Sequence, residues 1–334
     1  MTQLKLIGTG NYLPELIVTN QMMSQIVETN DEWITSRTGI SERRLSAGEP
    51  TWFMAAAAAR TALAESGISA DELDVIIVTT ITPDYFVPST ASIVQAELGA
   101  TRAFCFDLNA ACTGFVYALD MAGRYLQDPK INHVLIVSAE VLSKIVDYTD
   151  RRTCILFGDG ASAVVCGRSA PGESSALLAT RLGSEGWNAR FLVSRALKVN
   201  HPFLQPGAIM PDRFGEKNDS FVSMDGQEVF KFAVRAMSDS LLEAAKTAGV
   251  GINELRYIIP HQANTRILDA AARRIKARAG QMIRRMASFG NTSSASIPIC
   301  IDELIRAGKL VRGDKLAVAG FGAGLTYGAA VLVY

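Results

Sequence analysis

At 334 residues, 49% apolar and 20% charged, the chain has the composition of a soluble globular protein large enough for two hydrophobic cores. Lys plus Arg balances Asp plus Glu at 33 each, so no global field points to nucleic acid or a membrane surface, and an acidic partner has to meet a local basic patch. No uncharged apolar run reaches the ~18 residues that span a bilayer, and the first residues lack a signal-peptide pattern. Five cysteines without a Cys-x-x-Cys pair fit free thiols in a reducing cytosol.

Apolar β-branched runs alternate with Ala-rich helical stretches, which predicts an α/β fold with mostly buried strands. In chain order, helix is expected over 54–66, strand over 75–80 and 103–108, helix over 113–126, and strand over 133–139 and 161–166. An irregular stretch over 183–221, carrying Trp187, Pro202, Pro206 and Pro211, interrupts the pattern. Helix over 229–247, strand over 257–260, helix over 265–277 and 297–307, and strand over 315–319 and 329–333 complete it. The run from Ala64 to Ile77 aligns without a gap on that from Lys246 to Ile259, and Gly158-Asp-Gly-Ala parallels Gly324-Leu-Thr-Tyr-Gly. These matches suggest two similar halves, 1–171 and 172–334.

Four segments carry chemistry. In Phe106-Asp-Leu-Asn-Ala-Ala-Cys112-Thr-Gly, an apolar strand ends and the cysteine opens a helix, where the positive end of the helix dipole favours thiolate. Position alone leaves Cys112 open between a nucleophile and a structural thiol; Cys105, Cys154, Cys166 and Cys300 lie inside strand or helix patterns and read as structural. In Tyr257-Ile-Ile-Pro-His261-Gln-Ala-Asn, the imidazole falls at the C-terminal edge of a strand, where α/β sheets collect their sites. His133, opening a strand, and His201, in the irregular stretch, have weaker cases. In Ala287-Ser-Phe-Gly-Asn291-Thr-Ser-Ser-Ala-Ser, a strand-like approach ends at Gly290, and Asn291 reads equally as a helix N-cap or a site residue. Gly320-Phe-Gly-Ala-Gly is a hairpin whose glycines let backbone amides point at a ligand. Gly8-Thr-Gly10 is only a partial dinucleotide fingerprint, with Leu13-Pro14 where a helix should start.

In this order the four segments resemble the thiolase-fold ketosynthases, most closely the β-ketoacyl-acyl-carrier-protein synthase III family. Asp31-Glu-Trp-Ile-Thr-Ser-Arg-Thr-Gly-Ile, Gly158-Asp-Gly-Ala, His261-Gln-Ala-Asn and Gly290-Asn-Thr-Ser-Ser-Ala-Ser carry the resemblance over nearly the whole chain. It implies a duplicated five-layer αβαβα core, usually dimeric, and a Cys112, His261, Asn291 triad. It also implies a cytoplasmic acyltransferase that begins fatty acid synthesis without a cofactor or metal. An acyl-coenzyme A starter (acetyl or a similar short or branched acyl) loads Cys112, and malonyl-acyl carrier protein then condenses with it through loss of carbon dioxide. Backbone N–H groups of Cys112 and Ala323 are implied as the oxyanion hole, Trp33, Arg37, Arg151 and Asn264 as coenzyme A contacts, and Val87 as the end of the acyl pocket, reached across the dimer. Arg266, Arg273 and Arg274 match the carrier-protein docking surface, within a run that also holds Lys276, Arg278, Arg284 and Arg285 and one acid, Asp269, and Lys231 is expected to join them. Elongating relatives place a second His where Asn291 stands, and degradative thiolases a second Cys in the Gly320 turn; both are missing here. A specialised ketosynthase of secondary metabolism is the alternative. A papain-like protease lacks its flanking motif, and a non-catalytic thioester-binding protein would have lost a triad residue.

Overall fold

The computed structural model describes residues 2–197, 202, 203, 214 and 220–334; His201, Pro206 and Pro211 lie outside the described residues. Two main sheets form the frame. The first runs in the order Lys5–Tyr12, Gly160–Gly167, His133–Glu140, Val75–Thr79, Phe104–Leu108. Its last three strands are parallel, and Gly160–Gly167 is antiparallel to both of its neighbours. The second runs Ala176–Ser184, Thr326–Val333, Lys315–Gly322, Tyr257–Pro260 with the same alternation of directions, and a parallel bridge from Ile258 to Met282 stands where the fifth strand would lie.

Helices cover the sheets in three layers. Thr51–Ser66 and Thr90–Leu98 pack on the outer face of the first sheet through Met54, Ala58, Ala62, Ala91 and Val94. Gly226–Ala248 and Thr265–Arg274 cover the outer face of the second through Phe232, Met237, Leu241 and Leu268. Between the sheets lie Gly114–Tyr125 and Ser296–Arg306, whose Phe115, Val116, Leu119, Ile297, Ile301 and Leu304 join both inner faces in one core. Each such side chain contributes about 1.5–3 kcal/mol by leaving water. The result is an αβαβα stack. Two buried helices therefore start in the middle of the molecule, and their N-terminal turns define the site.

Three expectations need correction. Cys154 lies in a turn, in neither strand nor helix, though it is buried. The approach to Gly290 is a one-turn helix, Met286–Phe289, and not strand-like. The stretch 183–221 also begins inside a strand, because Ala176–Ser184 pairs with Thr326–Val333. Among the described residues no helix is long and apolar enough to cross a membrane.

Candidate active site

The two central helices are entered by turns of the same build. Asn109-Ala-Ala-Cys112-Thr-Gly and Asn291-Thr-Ser-Ser-Ala-Ser each place an Asn two residues before a residue with left-handed backbone, φ 47° at Ala111 and φ 50° at Ser293. In each, that residue's N–H donates to the Asn Oδ1, at 3.4 Å for Ala111 and 2.9 Å for Ser293. A 3₁₀ turn follows, Ala111–Thr113 or Ser293–Ala295, and then the helix. Of the described non-glycine residues only these two and Lys276 have positive φ. Such strain is uncommon outside functional sites.

The turns face each other across the Gly-rich hairpin. Gly322 passes so close that a Cβ there would lie 2.7 Å from the Cys112 backbone nitrogen, so any side chain would displace the nucleophile's backbone. Asn291 is pinned on the other side: its N–H donates to Leu156 O at 2.8 Å and its carbonyl accepts from Gly158 N–H at 3.0 Å. Gly290 has φ 65°, and a Cβ would meet Leu156 O at 2.9 Å. The Gly158-Asp-Gly motif therefore anchors the Asn291 turn. Buried Asp159 holds that anchor by accepting from Ser46 N–H at 2.8 Å and from Ser143 Oγ at 2.6 Å.

Cys112, His261 and Asn291 line one cavity of about 450 Å³, together with Gly322, Ala323 and Ser293. All three side chains of the triad are buried. His261 Nδ1 lies 2.8 Å from Ser296 Oγ, which already accepts from Gln262 N–H at 3.2 Å. The serine proton is thus available to Nδ1, a pairing that leaves the ring's other nitrogen protonated. Phe321 packs edge-on against the ring at 5.2 Å. Asn291 is oriented as well: with Oδ1 occupied by Ser293 N–H, its NH₂ is the end left for a ligand.

The electrostatics differ from the sequence expectation. Burial pushes the Cys112 thiol up to about 12; the Ser293 hydroxyl opposes it by a smaller amount, and Glu140 adds to it. A helix N-terminus supplies about 0.3–1 kcal/mol, up to ~2 in partly buried sites. Raising a thiol from 9.0 to about 12 corresponds to about 4 kcal/mol. On this balance burial outweighs the dipole and favours the thiol form of Cys112. Burial also holds His261 down at about 3, so the ring is neutral at physiological pH.

This has a thermodynamic consequence. The unfolded chain binds a proton on His261 below its ordinary value near 6.5, while the folded chain does not until about 3, so stability falls as pH drops through that window. Between pH 7 and 5 the wild type should lose about 2 kcal/mol more than His261→Gln. Thermal melts at the two pH values measure this. Equal losses in both proteins would contradict a neutral buried imidazole.

The cavity mouth carries the nucleotide candidates. The guanidinium of Arg37 sits 4.6 Å from the centre of the Trp33 ring and that of Arg151 at 5.4 Å. Trp33 and Arg37 line the cavity; of the two neighbouring arginines it is Arg152, not Arg151, that does so, while Arg151 donates to Glu28 O at 2.9 Å. Asn264 lines the cavity and also caps the Thr265–Arg274 helix by accepting from Arg266 N–H at 2.8 Å. Ala323 needs no glycine, since its φ is not positive. Val87 is not brought to the cavity: it is 84% exposed in a loop beside Phe86, which is 74% exposed. The walls that sequence reasoning missed include Ile81, Leu142 and Phe157, Leu192 from the irregular stretch, and Val222 and Met224 just after it. Their signal was hidden because they are scattered apolar residues in loops, a 3₁₀ turn and two-residue strands.

The basic run is partly neutralised, by its own Asp269 and by two acids outside it. Arg274 pairs with Asp239 at 2.7 Å, Arg284 with Asp269 at 2.6 Å and Arg285 with Glu303 at 3.0 Å. Arg266 and Arg273 are exposed and make no ion pair among the described residues. Lys231, which pairs with Glu228 at 2.7 Å, shares a second cleft with Arg266 and Asn264 at the cavity mouth.

Five layers with Cys, His and Asn at one buried cavity define a thiolase-fold condensing enzyme. Models of the family described as 3-oxoacyl-[acyl-carrier-protein] synthase III match residues 106–186, and its C-terminal part residues 245–334. The β-ketoacyl-[acyl-carrier-protein] synthase III of Clostridium acetobutylicum is 46% identical over 332 residues, 99% of each chain. The crystal structure of 3-oxoacyl-[acyl-carrier-protein] synthase III from Aquifex aeolicus VF5 superposes with a TM-score of 0.90 at 44% identity, covering 99% of this chain and 100% of that one. The priming β-ketosynthase of the R1128 polyketide pathway does so with 0.89 at 33% identity, covering 99% and 96%. The chain belongs to the 3-oxoacyl-[acyl-carrier-protein] synthase III family and is an acyltransferase of the β-ketoacyl-acyl-carrier-protein synthase type.

Proposed function

We propose that the chain condenses an acyl-coenzyme A starter with malonyl-acyl carrier protein through an acyl-Cys112 intermediate, in the cytosol and as a homodimer of chains with halves 1–171 and 172–334. The observation that carries this is the convergence of Cys112, His261 and Asn291 on one cavity also lined by Trp33 and Arg37. In the first step, Cys112 sulfur bonds to the thioester carbonyl, the bond to the coenzyme A sulfur breaks, and the thiol proton ends on coenzyme A. Backbone N–H groups of Cys112 and Ala323 hold the oxyanion.

In the second step, the malonyl carboxylate leaves as carbon dioxide and its bonding pair passes into the thioester, whose oxygen becomes negative. His261, neutral and protonated on the nitrogen away from Ser296, and the Asn291 NH₂ donate to that oxygen. A neutral donor pair stabilises the enolate without protonating it. The enolate carbon then bonds to the acyl carbonyl and expels Cys112 thiolate, which regains a proton from solvent. Trp33, Arg37, Arg151 and Asn264 hold the coenzyme A or its pantetheine end; Val87 reaches an acyl pocket only from a second copy of the chain.

Lys231, Arg266, Arg273 and Arg274 dock the acidic carrier protein. Charge reversal at Arg266 and Arg273 should raise the KM for malonyl-acyl carrier protein roughly tenfold or more, since rim charges set encounter rate and salt dependence. Acylation by the coenzyme A thioester should stay intact; loss of both steps together would make the patch structural. Similarity to the R1128 priming enzyme favours one second reading, a specialised ketosynthase. Activity with a polyketide carrier protein but not with a fatty-acid one would select it.

A further inference from the structure

We infer that Ser293 is a positioning residue for the nucleophile: its hydroxyl hydrogen-bonds the Cys112 sulfur as negative charge gathers there during acyl transfer. The inference rests on Cys112 being the acyl carrier. Ser293 is 1% exposed and lines the same cavity as Cys112, His261 and Asn291. Among the described residues no group is a hydrogen-bond partner of its Oγ, although buried hydroxyls are almost always paired. Its backbone is held at φ 50°, a conformation that serine adopts only at a cost, and the Asn291 side chain fixes it there.

A structural explanation leaves these facts unconnected. The 3₁₀ turn needs only the Ser293 N–H, which glycine would supply without strain. The neighbouring hydroxyl does have structural partners: Ser294 Oγ donates to Glu140 Oε1 at 3.0 Å and lies 3.3 Å from Thr79 O. The matching position in the other turn is Ala111, where no hydroxyl is present. A hydroxyl is therefore retained on one turn only, unpaired, strained and beside the thiol. It faces Cys112 and the buried Glu140 carboxyl, and favours the charged form of each.

The chemistry follows from the resting state. Burial makes the thiolate costly, and His261 is neutral, so the sulfur must gain its charge during attack. A donor poised at the sulfur lowers that cost and is released when the sulfur becomes a neutral thioester. The same hydroxyl would again meet the sulfur when condensation expels it as thiolate. Among the described residues Glu140 is the charged group that acts on the sulfur, and His261 lines the same cavity. Glu140 already accepts from Ile81 N–H, Thr82 Oγ1 and Ser294 Oγ, each at 3.0 Å, so its carboxyl does not depend on the Ser293 hydroxyl.

Ser293→Ala and Ser293→Gly should both slow single-turnover acylation of Cys112 by an acyl-coenzyme A about 10- to 100-fold, the worth of one hydrogen bond to a charged group. Alkylation by iodoacetamide at pH 8 should fall in parallel, because it follows the thiolate fraction. Decarboxylation of malonyl-acyl carrier protein should change by no more than about threefold, which separates sulfur positioning from damage to the Asn291 turn. The glycine variant should melt at or above the wild-type temperature, because it relieves the strained φ. Wild-type acylation rates in both variants would overturn the inference, as would equal losses in acylation and decarboxylation. A wild type that forms no adduct on Cys112 would instead remove the reading on which the inference stands.

Discussion

Cys112→Ala should lower condensation by roughly 10⁴-fold or more, the scale seen when a covalent nucleophile is removed from a working constellation. The loss should be confined to the acyl branch. Malonyl-acyl carrier protein should still bind and lose carbon dioxide, since His261 and Asn291 are positioned by Ser296 and Ser293 and not by the thiol. No other thiol can substitute. Cys154, Cys166 and Cys300 are buried away from the cavity lining, and Cys105 sits on the edge strand beside Ser92 and Gln95. The folded state should lose only about 1 kcal/mol, because the replacement is small and leaves no polar group unpaired. Condensation and decarboxylation assays on one preparation separate these outcomes. Loss of both activities with an unchanged melting temperature would contradict the division of roles.

Asn291→Ala should slow malonyl decarboxylation by about 10²–10³-fold, as loss of one preorganised donor to a developing oxyanion does. Transfer of the acyl group to Cys112 should stay within a few-fold. Alanine also removes the Oδ1 that receives Ser293 N–H, which costs about 1–3 kcal/mol of stability if that N–H goes unpaired. Asn291→Asp resolves the ambiguity by keeping the acceptor while removing the donor. It should preserve the melting temperature of the turn yet decarboxylate no better than the alanine variant. Equal losses of acyl transfer and decarboxylation in both variants would refute Asn291 as an enolate donor.

The sequence made the centre of this site legible because Cys112 and His261 follow strands that feed helices, and Asn291 opens a run of small residues leading into a third. Cys112 and Asn291 stand on turns of one design, and that shared Asn-x-[small]-[small] pattern can be read in the chain once both helices are placed. What escaped was set by tertiary structure. The Lys5–Tyr12 and Ala176–Ser184 strands carry glycines and polar residues that break the alternation, and they are strands because each pairs along a full neighbour. Asp31–Thr38 is helical with little apolar face; Asn30 caps it by accepting from Trp33 N–H at 2.8 Å, and Gly39 ends it with a left-handed φ of 77°. The acids that quench Arg274 and Arg285 come from other helices, so a charge count along one segment overstated its basicity. The thiol offers the clearest contrast. Its helix-start position was visible, but its burial, which outweighs the dipole, was not.

The central claim is that Cys112 carries the acyl group, and it is tested most directly by intact-protein and peptide mass spectrometry after incubation with a panel of acyl-coenzyme A compounds. One acyl mass should appear per chain, on the peptide containing Cys112, and should disappear when malonyl-acyl carrier protein is added. Absence of any adduct across the panel, or an adduct on Cys105 or Cys154, would contradict it.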